Sequence, residues 1–150
     1  GLVKSIKRKI NEINWKPDLV IASYHGIPKS YFDKGDPYQC YCQKTTRLIS
    51  EKMPDIKIQT TFQSRFGPQE WLQPYTDKTL DNLPAQNIKN VLVVCPGFAS
   101  DCVETLEEIN IQAKDSFLKN GGRNFDLIPC LNDSPDHIKL FEVLVKKYLV

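Results

Sequence analysis

Two short apolar runs far apart in the chain restrict its fold more than any other feature. Leu19-Val-Ile-Ala-Ser23 leads into Tyr24-His25-Gly26, and Val91-Leu-Val-Val94 leads into Cys95-Pro96-Gly97. Neither run alternates apolar with polar residues. A strand with one wet face alternates, whereas a strand covered on both faces does not, and such strands belong to parallel sheets. Each run stops abruptly at Gly or Pro, with ionisable residues just past the stop. Open α/β sheets form their ligand crevices at that place, the carboxyl ends of the strands.

The rest of the chain fits around those strands. Residues 2–13 read as an amphipathic helix with Leu2, Ile6, Ile10 and Ile13 on one stripe. Residues 38–53 form a second helix, stopped by Pro54, and residues 56–62 a second strand. Residues 63–74 are an irregular loop and 75–82 a short helix. The third strand covers 90–94. The longest helix covers 101–119 and ends at Asn120-Gly121-Gly122, a C-terminal stop. Residues 125–128 are a fourth strand. Ser134-Pro135 caps a last helix reaching about residue 149, with Ile138, Phe141, Leu144, Val145 and Tyr148 facing inward. This order predicts a three-layer α/β/α domain with a four-stranded parallel sheet and right-handed crossovers. Residues 1–150 read as one domain without repeat or linker. A chain that opens on a helix with Gly1, and no Met, is expected to be cut from something longer.

A formal net charge of +2 is too weak to imply nucleic acid. The basic stretch Lys4-Ser-Ile-Lys-Arg-Lys9 is the wet face of the first helix. No apolar run approaches the roughly 20 residues that cross a bilayer, and no signal peptide opens the chain, although peripheral membrane contact stays open. Five cysteines, an odd number, predict free thiols in a reducing, cytoplasmic setting. Cys95 and Cys130 read as small buried hydrophobes. Cys40-Tyr-Cys42 lacks the spacing of a zinc or redox pair.

His25 leads the residues suited to chemistry. Imidazole takes protons near neutrality and binds borderline metals, but a histidine simply hydrogen-bonded in a turn is an equal reading. At about 100° per residue, Asp101, Glu104, Glu108 and Gln112 share a stripe opposite Leu106, Ile109, Ala113 and Phe117. A solvated face, or a capping box from Asp101 and Glu104, would look the same. Yet the helix starts directly behind a strand, so its first turn points into the crevice. Its carboxylates could then pass protons or a hydrated cation. Trp71 and Phe98 are either local plugs or walls for a flat aromatic ligand. Nucleotide, serine-hydrolase and zinc-protease motifs are missing, and two histidines are too few for a multi-histidine zinc site.

Five ordered blocks together resemble the ferrochelatases, which insert ferrous iron into a porphyrin in haem synthesis. They are Ser23-Tyr-His-Gly-Ile-Pro28, Gly35-Asp-Pro-Tyr38, Thr61-Phe-Gln-Ser-Arg-Phe-Gly67, Trp71-Leu-Gln-Pro74 and Pro96-Gly-Phe-Ala-Ser-Asp-Cys-Val-Glu-Thr-Leu-Glu-Glu108. That family has two similar α/β halves with the porphyrin cleft between them, and this chain resembles the second, a chelatase-like half. The resemblance implies a lyase of porphyrin biosynthesis, inactive without its N-terminal half. It implies His25 and Glu104 as catalytic residues and iron ligands, with Trp71, Phe98, Asp101 and Glu108 at the cleft. Gln112 stands where some relatives carry another acid. Fe²⁺ is then a substrate, no cofactor stays bound, and no iron–sulfur cluster is expected because the chain stops at Val150. A homodimer is compatible with an exposed half-cleft. The alternatives are a cobalt or nickel chelatase and a non-catalytic tetrapyrrole or metal carrier.

Overall fold

The computed structural model describes residues 1–149. Its elements are α1 (Leu2–Glu12), β1 (Leu19–His25), α2 (Lys29–Asp33), α3 (Tyr38–Glu51), β2 (Ile58–Gln63), α4 (Thr76–Asn82), β3 (Asn90–Val94), β4 (Asn124–Leu127) and α6 (Pro135–Lys146), with α5 (Lys114–Lys119) ahead of β4. The strands pair in parallel in the order β2-β1-β3-β4. This is the expected α/β layering.

The two apolar runs are central, and their residues go alternately to opposite faces. Val20, Ala22, Tyr24, Leu92 and Val94 pack with Ile6 of α1 and Ile49 of α3. Leu19, Ile21, Val91 and Val93 pack with Leu80, Ile109 and Phe117 on the other side. Burying both faces is what removes alternation from their sequence. Phe117 is wholly buried, its ring centroid 5.9 Å from that of Phe125.

The structure corrects several local expectations. α2 lies between the first strand and the second predicted helix, in a stretch whose Gly26, Pro28, Asp33, Gly35, Asp36 and Pro37 read as a loop rich in turn residues. The long helix is wound in two ways: Glu104–Ala113 is π-helical, as in the bond from the Lys114 N–H to the Ile109 carbonyl, and α5 continues it. The changed winding buries Thr105 and leaves Leu106 exposed instead of inward. The last helix is present but ends at Lys146, and its Ile138, Phe141, Leu144 and Val145, with Tyr148 beyond it, are all exposed. His137 is the buried member, its Nδ1 2.7 Å from the Asn132 carbonyl. Cys130 is half-buried rather than buried, and all five cysteines are free thiols. Among the described residues, no helix is long and apolar enough to cross a membrane.

Candidate active site

The sheet brings three strand ends together. β1 ends at His25, whose register partner is Gln63, the last residue of β2. On its other side β1 pairs with β3, which runs only as far as Val94 and then turns through Pro96 and Phe98 towards Glu104.

His25 is half-buried, and its Nδ1 lies 2.6 Å from the Gly26 carbonyl oxygen. A carbonyl only accepts, so Nδ1 carries a proton, and in the neutral ring it is Nε2 that holds the lone pair. The Tyr38 hydroxyl donates to the His25 carbonyl at 2.8 Å, fixing the backbone beneath the ring. Phe98 stands beside the imidazole, centroids 6.3 Å apart.

Glu104 opens the π-helical segment. The Cys102 thiol and Glu104's own N–H hold its carboxyl below the usual carboxylate range, against slight desolvation, and the positive charge His25 carries when protonated adds a smaller pull the same way. His25 and Glu104 therefore come from neighbouring strand–helix junctions. From Glu104 an open depression of about 440 Å³ follows the π-helical segment, lined by Ser64, Arg65, Glu107 and Glu108.

Glu108 is part of this depression. Its carboxylate accepts the Ser64 N–H at 2.7 Å and the Ser64 hydroxyl at 2.5 Å. Ser64 has φ +63°, uncommon for a residue with a side chain. Gln112 also lines the depression and donates to Glu107 at 3.2 Å across the five-residue spacing of the π winding.

Asp101 and Trp71 sit behind these groups. Asp101 lies ahead of the helical turns and binds the segment after β4 through Asn132 and Cys130. Trp71 is buried, its indole N–H donating to the Phe66 carbonyl at 3.0 Å, and it packs under Gly26. The exposed ring at that rim is Phe66.

Sequence reasoning missed Tyr38, Gln63, Ser64 and Cys102 as parts of the site. All four lie within the motif blocks quoted above, but their roles depend on register and turn geometry. Among the described residues, no three His, Cys, Asp or Glu side chains converge as a closed metal site.

The ferrochelatase family model matches residues 1–149. The chain belongs to the ferrochelatase family. It is 55% identical over 151 aligned positions to the ferrochelatase of Rhizobium meliloti (strain 1021), covering 99% of this chain and 44% of that protein. The ferrochelatase of Agrobacterium fabrum (strain C58) is 52% identical over the same shares. The chain thus spans less than half the length of these relatives. Among solved structures, a CbiX protein of cobalamin (vitamin B12) biosynthesis from Marinobacter aquaeolei VT8 superimposes with a TM-score of 0.55 at 14% identity, covering 87% of this chain and 96% of that one. That likeness concerns the fold alone.

Proposed function

We propose that this chain is the C-terminal half of an enzyme that inserts Fe²⁺ into a porphyrin, the metal-insertion step of haem synthesis. The observation that carries the reading is an imidazole whose Nδ1 is taken up by the Gly26 carbonyl, leaving Nε2 for other partners, on β1, with a carboxylate held below its usual range on the helical segment that follows the neighbouring strand β3. Metal insertion removes two pyrrole protons and exchanges the metal's waters for ring nitrogens. It needs a base and transient ligands that let go again. Imidazole and carboxylate suit ferrous iron in that way.

In this reading His25 Nε2 meets the macrocycle, where it takes a pyrrole proton or holds the metal. Glu104 stays ionised and offers an oxygen to the cation. The Phe98 ring gives a flat apolar surface beside the imidazole. Glu108, held by Ser64, lies further along the depression to receive what leaves. Trp71 and Asp101 support the two turns from behind. The N-terminal half of the full enzyme supplies the facing wall.

The test uses the full-length protein. His25→Ala and Glu104→Gln should each lower kcat for iron insertion by about 10²- to 10⁴-fold, the span of a lost acid–base group, with native folding by circular dichroism. Parental turnover in either variant removes that residue from the chemistry. A higher kcat/KM for Co²⁺ or Ni²⁺ than for Fe²⁺ would assign the protein to another metal chelatase.

A further inference from the structure

Gln63 is almost fully buried, yet it is polar and touches all three strand ends of the site. Its Oε1 accepts the Ser23 hydroxyl at 2.6 Å, on β1 two residues before His25. The same oxygen accepts the Cys95 thiol at 3.6 Å, just beyond β3. Its Nε2 donates to the main-chain carbonyl of Glu104 at 2.8 Å. That nitrogen also lies 3.4 Å from the hydroxyl of Ser64, which holds Glu108. The amide's orientation follows from chemistry: the Glu104 carbonyl only accepts, so the nitrogen must face it.

We propose that Gln63 is a positioning residue that sets the separation of the Glu104 carboxylate and the His25 imidazole. It grips the backbone of Glu104, not its side chain, and grips β1 next to His25 through Ser23. A planar primary amide spans the two with fixed geometry. A misplacement of about 1 Å in such a pair can cost about 100-fold in rate. The inference rests on the roles given to His25 and Glu104 under Proposed function.

The test again uses the full-length protein. Gln63→Met fills similar space without polar atoms. It should lower kcat for iron insertion by about 100-fold and leave the porphyrin KM nearly unchanged, because the interaction serves the reacting pair and not ring binding. Gln63→Glu is the sharper variant and decides the matter if Gln63→Met fails to fold. Burial raises a carboxyl's pKa, and the protonated form again donates to the Glu104 carbonyl, while the ionised form repels it. The ratio of its kcat to the parental kcat should therefore rise as pH falls. A ratio flat with pH means a merely structural residue and overturns the proposal, as does parental kcat in both variants. Glu104→Gln, run in parallel, separates the two readings. If it keeps parental kcat, the underlying site is wrong. If it collapses while the Gln63 variants do not, only Gln63's role is lost.

Discussion

Asp101 and Asn132 clasp each other across two strand ends. The Asp101 N–H donates to Asn132 Oδ1 at 2.8 Å, and Asn132 Nδ2 donates to Asp101 Oδ2 at 2.8 Å. The other carboxylate oxygen accepts the Cys130 N–H at 3.1 Å and the Thr105 hydroxyl at 3.2 Å. The turn leading to Glu104 is thereby pinned to the segment after β4, and Gln63 grips it elsewhere.

Asn132→Ala should break this clasp. It removes both bonds and places a Cβ-bearing residue without side-chain hydrogen bonds at φ +47°. Leaving part-buried groups unpaired costs about 1–3 kcal/mol, read as a lower midpoint in urea with unchanged slope. Burial alone would raise the Asp101 carboxyl, but hydrogen bonds from Asn132, Cys130 and Thr105 outweigh it and hold it below the ordinary range. A depressed native value means that its stabilisation is present above the unfolded carboxyl's value and lost as pH falls through the native one. The variant should lose less stability on acidification than the parent. A parental midpoint would contradict the clasp.

The Cys102 thiol is the main reason that Glu104 titrates low. Cys102→Ala should move the Glu104 carboxyl up towards an ordinary carboxylate, followed by ¹³C carboxyl shifts against pH. Cys102→Ser keeps a donor and should leave the titration near the parental position. Because this carboxylate is open to water, global stability should hardly respond. An unmoved titration in the alanine variant would show that another group sets the value.

The layering was legible because it is written in strand composition: Leu19–Ser23 and Val91–Val94 lack alternation because both their faces are covered. The residues 90–94 strand matches at both ends. The π winding was not legible, since over ten residues an apolar stripe looks much the same with four- or five-residue bonds. Only the outward turn of Leu106 betrays it. The apolar spacing of α6 specifies a helix, but burial depends on what packs against it. Of the site, His25 and Glu104 stood out as ionisable groups beyond strand ends. Gln63 did not, because a polar residue closing a strand reads as solvated until parallel register sets it opposite His25.

Arg65 holds Asp77 with two parallel bonds, 2.6 and 2.8 Å, and its guanidinium lies 4.1 Å from the centre of the Tyr75 ring. Both side chains are partly exposed, so solvent screens the pair. Arg65→Lys keeps the charge but loses the fork and the stacking. It should cost about 1 kcal/mol or less by thermal or urea unfolding. It should also let Asp77, which burial would raise and Arg65 pulls below its ordinary value, titrate higher. Equal stability and an unchanged Asp77 titration would show that charge alone matters there.

Gly26 follows His25 at the tightest point of the site. Its N–H donates to the Gln63 carbonyl at 2.8 Å. A Cβ there would stand 3.0 Å from that same carbonyl oxygen and 3.2 Å from the Trp71 ring. One neighbour is backbone and the other a buried indole held by the Phe66 carbonyl, so neither yields cheaply. Gly26→Ala should therefore push the turn away from β2 and cost about 1–3 kcal/mol, as overpacking does. The carbonyl that orients the His25 ring belongs to this same residue, so the displacement carries the imidazole with it. In the full-length protein, kcat for iron insertion should fall further than stability does, with the loss persisting at temperatures far below the melting point. A variant with lowered melting temperature but parental kcat would show that the imidazole is oriented by something other than this turn.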